Sequence, residues 1–121
     1  MAYVDGFLIA VETARKDEFL KHAETMNAIF LEFGALRIVE NWGDDLRHGE
    51  MTDFYRAVAA KDGETTVFSW IEWPDKATRD AASEKMMTDE RLQGPMPFDG
   101  KRMIYGGFNP IYDRSRAMAD A

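Results

Sequence analysis

The charged residues of most interest stand within largely apolar stretches: Asp5 in 3–12, Glu40 in 36–43, Arg56 in 53–60 and Glu72 in 66–73. A charge on a covered sheet face has to be paired or put to use, because removing it from water is expensive. Asn41, Ser69 and Tyr105 are neutral polar residues in comparable settings. Trp42, Phe54, Trp70, Tyr105 and Phe108 supply flat apolar surface suited to a pocket for an aromatic or planar molecule. In such a pocket Glu72 or Glu40 can be a general base with a pKa raised by desolvation, and Arg56 can hold a developing enolate or carboxylate. The candidate catalytic set is therefore Glu72, Arg56 and Tyr105. The candidate ligand-binding set is Glu40, Trp42, Phe54, Trp70 and Phe108. The competing structural account has Arg56 bridging Glu40 or Glu72 as an ion pair at a subunit interface, since such pairs perturb titration as readily as catalytic ones.

Other chemistry is thinner. His22 stands one turn after Glu18, a spacing that can chelate a metal, but it also lies at the margin of an apolar stripe that it could simply cover. His48 shares a loop with Asp44, Asp45, Glu50 and Asp53, without the spacing of a calcium loop. No metal and no cofactor is expected: there is no cysteine, and Gly106-Gly107 does not precede a helix as a phosphate loop would. Ser69 has no base at a readable spacing.

The elements that must position these residues can be read from periodicity. A strand is expected over 3–12, apolar enough to be covered on both faces. Thr13 then caps a helix with Phe19, Ala23, Met26, Phe30 and Phe33 on one stripe, stopped by Gly34. Strands follow over 36–43, 53–60 and 66–73, the last two joined as a hairpin through Asp62-Gly63. Pro74 ends that strand and Asp75 caps a helix to about residue 89, with Lys76 and Asp80 paired one turn apart and Ala77, Ala81, Ala82 and Met86 on its inner face. A last strand over 102–109 contains Gly106-Gly107, which signals a bulge or a close approach of backbone. The order is that of a ferredoxin-like split βαβ sandwich with one extra or broken strand. The expectation is one α+β domain over 1–112 and a loose tail over 113–121.

Because the strands are apolar on both faces, the face without helices needs a cover, and a second copy of the chain is the simplest one. The net charge, 15 − 22 = −7, argues against nucleic acid and anionic membranes. The start of the chain has no positive region ahead of an apolar run, and with no cysteine the expected compartment is the cytoplasm.

The strings YVDGF (3–7), WGDD (42–45), TDF (52–54), VFSWIEWPDKATRD (67–80) and MPFDGKRMIYGGF (96–108) closely resemble the YbaA-like family of small conserved bacterial proteins over roughly residues 1–112. The resemblance implies a dimeric α+β barrel and no particular reaction. Members often carry a cysteine where this chain has Asn41, so no thiol role transfers. The leading functional expectation is a small-molecule binder with its pocket between the sheet and the partner subunit. The alternatives are a cofactor-independent monooxygenase or isomerase, and an interaction module without ligand.

Overall fold

The computed structural model of the chain describes residues 2–119, so the end of the expected tail, residues 120 and 121, lies outside the described residues. Four strands form one antiparallel sheet in the order β2-β3-β1-β4: β1 (Tyr3–Glu12), β2 (Arg37–Trp42), β3 (Glu64–Trp73) and β4 (Ile104–Phe108). Helix α1 (Lys16–Glu32) links β1 to β2, and α3 (Lys76–Thr88) follows β3. A four-residue helix, α2 (Phe54–Ala57), stands between β2 and β3, and α4 (Arg116–Ala119) lies in the tail.

Ladder register sorts the side chains by face. Tyr3 pairs with Trp73, Asp5 with Ile71, Phe7 with Ser69 and Ile9 with Val67. On the other side of β3, Ile38 pairs with Ile71, Glu40 with Ser69 and Trp42 with Val67. These residues share the face that α1 and α3 cover. Phe30 and Phe33 of α1 and Ala82 and Met86 of α3 pack on Tyr3, Ile71 and Trp73, while Phe19 and Ala23 pack on Ile9, Val11 and Val67. The α1 stripe is as expected, with Ile29 also buried, and Gly34 takes the left-handed stop at φ 114°.

Four local expectations are corrected. The stretch 53–60 is not a strand. Asp53 caps α2 through the Arg56 amide at 2.8 Å, and the alanines that follow favour helix over sheet. Asp62-Gly63 is consequently a turn from α2 into β3, with Gly63 at φ 82°, and not a hairpin. Thr13 does not cap α1; its amide and hydroxyl both donate to the Gly63 carbonyl, at 2.9 and 3.1 Å, tying the end of β1 to the start of β3. The inner face of α3 carries Arg79, Ala82, Ser83 and Met86, and Ala77 and Ala81 face solvent.

Asp75 and Lys76–Asp80 behave as read, the cap accepting from the Thr78 amide at 2.7 Å and the pair closing at 3.0 Å. There is no bulge at Gly106-Gly107, since Gly106 pairs with Gly6 and Gly107 with Asp5 in unbroken register. The close approach is present instead: a Cβ on Gly107 would collide with the Tyr3 hydroxyl and the Arg79 guanidinium.

The opposite face carries Val4, Leu8, Phe68, Trp70, Ile104 and Phe108. Its end near Ala10 and Thr66 is buried, where α2 packs on β1 and β3. Phe68, Ile104 and Phe108 remain exposed.

Candidate functional site

Three consecutive rows of side chains cross the helix-covered face, and they differ in chemistry. The first contains Asp5 and Ile71, the second Phe7, Ser69 and Glu40, and the third Ile9, Val67 and Trp42. Over the first row α3 brings Arg79, whose guanidinium binds Asp5 at 3.0 Å and Asp80 at 2.8 Å and lies 4.9 Å from the centre of the Tyr3 ring. Trp73 Nε1 donates to the other Asp5 oxygen at 2.9 Å. Hydrogen bonds from the Arg79 guanidinium to Asp5 hold its proton well above the usual arginine range. This cluster is filled and locked.

Over the second row the elements part. Between α1, the sheet and the segment 89–103 lies a cavity of about 330 Å³. Its walls are aromatic and thioether side chains, including Phe7, Phe30, Phe98, Met26, Met86 and Met103. The roof segment is pinned at both ends. Arg91 binds Glu32 and Asp89, each at 2.6 Å, and Arg102 grips Glu64 at 2.7 and 2.8 Å. Arg102 in turn holds the Glu64 carboxyl down at about 2. Gly94, Pro95 and Met96 complete the roof.

The polar groups in the cavity are few. Asn27 Nδ2 donates to Glu40 Oε1 at 3.3 Å. Glu40 Oε2 is buried and has no hydrogen-bond partner among the described residues. Burial raises the Glu40 pKa above its ordinary value, against the opposing pull of Asn27 and Ser69. His22 lines the cavity from α1, edge-on to Phe98 at 5.9 Å, and burial lowers its pKa, which favours the neutral imidazole. Among the described residues, no lysine or arginine lines this cavity.

The residues singled out from the sequence do not converge on one place. Of the candidate ligand-binding set, Glu40 lines the cavity. Trp42 shares its face but packs on Phe19 at 6.2 Å, beneath the Lys16 ammonium. Trp70 and Glu72 lie on the opposite face, joined by a 2.9 Å hydrogen bond from the indole, with Arg37 3.7 Å from the carboxylate. Phe108 and Phe54 are substantially exposed, on β4 and α2. Tyr105 stacks on Phe7 at the sheet edge, 6.3 Å between ring centres.

Arg56 is remote from Glu40 and Glu72 in its bonding. Its guanidinium binds Asp53 at 3.0 Å and the carbonyls of Gly49, Glu50 and Met51, closing the loop before α2. His48 Nδ1 lies 3.5 Å from the same Asp53 carboxylate, and the His48 ring stacks on Tyr55. Glu18 is taken by Arg15, so it is not held ready beside His22. Among the described residues no three His, Asp or Glu side chains gather as a metal site.

A second, shallower hollow of about 270 Å³ opens on the uncovered face over Gly6, Leu8, Phe68, Ile104 and Phe108. The sequence reading placed the pocket on that side and missed the roofed cavity. The signals for it were present in Met26 and Met86, read only as inner-face positions of the two helices, and in His22 at the stripe margin. Arg79 is given no role by the sequence because an arginine in a helix reads as surface; its spacing of three to Ala82 and seven to Met86 put it on the inner face.

These features define a small α+β protein with an apolar cavity under the helices of an antiparallel sheet. The chain belongs to the family described as a protein of unknown function (DUF1428), whose family model matches residues 2–100. It is 54% identical over 116 residues to the uncharacterised protein YbaA of Escherichia coli K12, covering 93% of this chain and 99% of that one. The YbaA of Shigella flexneri gives the same figures. The resemblance carried by the quoted strings is thus borne out. Among solved structures, the de novo designed protein Foldit4 covers 89% of this chain and 94% of its own length at 14% identity, with a TM-score of 0.42, too distant to bear on fold or function. No helix among the described residues is long and apolar enough to cross a membrane.

Proposed function

We propose that this protein binds a small, mostly apolar molecule in the roofed cavity, with Glu40 as the polar anchor. The observation that carries the reading is the buried Glu40, with Oε2 lacking a hydrogen-bond partner, in the wall of a mostly apolar space of about 330 Å³. That volume falls at the lower end of the range for ligand pockets, about 300–1,000 Å³. A buried carboxylate oxygen without a protein partner carries a penalty that a bound ligand or an ordered water relieves. The isomerase or oxygenase alternative needs a group to hold developing negative charge. Arg56 was the expected one, and its bonds inside the α2 loop weigh for binding over catalysis.

We further propose that the sheet order is the ferredoxin-like plan and that the exposed Phe68, Ile104 and Phe108 face is closed by a second copy, giving a cytoplasmic homodimer. In that arrangement Trp70, Glu72 and Phe108 belong to the subunit interface. A thermal-shift screen of small apolar metabolites tests the binding reading: hits should raise Tm for the wild type and not for Met26→Trp, which fills the cavity. Hits unaffected by Met26→Trp would move the site elsewhere. Sedimentation of a monomer at micromolar concentration would remove the dimer and leave the cavity reading standing.

A further inference from the structure

The chemistry of the cavity wall narrows the class of molecule it accepts; this inference rests on the binding reading above. The ionisable side chains that line it, among the described residues, are Glu40 and His22, and there is no cationic side chain to receive an anion. A carboxylate or phosphate entering this space would meet Glu40 as a like charge in a medium that screens poorly. Anionic metabolites are therefore the wrong class.

Asn27, Glu40, His22 and Ser69 are the polar side chains in the wall, and of these the Glu40 carboxylate makes the strongest demand for a donor. Asn27 already donates to Glu40 Oε1 and the Ser69 hydroxyl also favours the carboxylate, while the buried Oε2 has no donor in hydrogen-bond geometry. The missing group is a donor, and one suffices. The rest of the wall is built for a ring. Phe7, Phe30 and Phe98 present aromatic surface, and Met26, Met86 and Met103 present flexible thioethers that adapt to a flat guest and make favourable contacts with its edge.

We propose that the cavity selects uncharged aromatic molecules bearing a hydroxyl, the phenol class, with the ring among the Phe and Met side chains and the hydroxyl donating to the Glu40 carboxylate. An aromatic amine carries the same donor chemistry on a different group. The hydroxyl is favoured because it places one compact donor at one free acceptor and leaves no further proton facing the apolar wall.

Calorimetry with phenol, toluene, aniline and benzoate on the full chain tests this, with methionine-methyl NMR to locate the guest. Phenol should bind at least tenfold more tightly than toluene, and more tightly than aniline. Benzoate should not bind, and the Met26 and Met103 methyls should shift with phenol. In Glu40→Leu the preference for phenol over toluene should vanish while toluene binding persists. Where Glu40→Leu does not fold, Glu40→Gln should reduce the preference severalfold. Equal binding of phenol and toluene to the wild type overturns the hydroxyl inference and leaves the apolar cavity reading intact. Aniline binding more tightly than phenol overturns the hydroxyl in favour of the amine. No binding by any probe, or shifts confined to residues outside the cavity, overturns both.

Discussion

Asp5 and Glu40 occupy the same face of the same sheet, in adjacent rows, and they are treated in opposite ways. Asp5 is fastened by Arg79 and Trp73 and closed over by α3. Glu40 lines the cavity with one amide on one oxygen and no hydrogen-bond partner on the other, buried, oxygen. The difference arises from where the helices run. Trp73-Pro74-Asp75 starts α3 immediately after β3, so its first two turns lie over the Asp5 row and deliver Arg79 there. Beyond Thr88 the chain leaves the helix and becomes a roof held away from the sheet by its arginine ties. On α1 the residue that reaches Glu40 is Asn27, which is neutral. One carboxylate holds the fold together, and the other is left with a demand that the fold does not meet.

The comparison breaks most visibly at Arg79. Arg79→Met keeps the length of the side chain and leaves Asp5 largely covered with no cation beside it, a change expected to cost about 3 kcal/mol. Denaturant unfolding reads this directly. The double variant with Asp5→Asn should recover part of the loss, because the stranded charge is gone. Glu40→Gln should do nothing of the kind at neutral pH. Equal destabilisation by Arg79→Met and Glu40→Gln would mean the two carboxylates play the same structural part.

Much of this contrast could be read in advance, and the failures have physical causes. The strands β1 and β3, the α1 stripe and the Asp75 cap were legible because each depends on local periodicity or on a turn residue with a fixed backbone role. The stretch 53–60 was misread because alternation over a few residues competes poorly with a capping aspartate and a run of alanines. The charged strand residues were rightly singled out, but nothing local says which will meet a partner. Asp5 meets Arg79 from 74 positions away, and Glu40 meets no cation at all. The cavity was illegible for the same reason, since its roof is placed by Arg91–Glu32 and Arg102–Glu64, two long-range ties.

pH sharpens the contrast between a used and an unused carboxylate, with a smaller effect. Glu64, gripped by Arg102, has its pKa depressed from 4.5 to about 2. Its stabilising contribution is complete above about 4.5 and is lost as pH falls toward 2. Glu40 has its pKa raised, with burial the dominant cause. Its sign is reversed: there is no penalty below the unfolded value of 4.5, and stability declines as pH rises from there through the folded value. Glu40→Gln should therefore be more stable than wild type at pH 7 and indistinguishable from it at pH 4. Glu64→Gln should be less stable at pH 7 and converge with wild type near pH 2. Melting curves across pH 2–8 check both signs in one series.

The smallest effect separates an unmet polar atom that belongs to a site from one that does not. Thr66 Oγ1 is also buried without a hydrogen-bond partner, on the opposite face of β3, paired with Ala10 where α2 covers the sheet. It lines neither hollow. Thr66→Val preserves the branched shape and removes the stranded hydroxyl, so it should stabilise the protein by up to about 1 kcal/mol at every pH. It should leave binding at the cavity unchanged, whereas Glu40→Gln gains stability only when the carboxylate is charged and loses binding selectivity with it. A Thr66→Val protein with altered ligand response would join the two faces energetically and dissolve the distinction between a packing defect and a binding group.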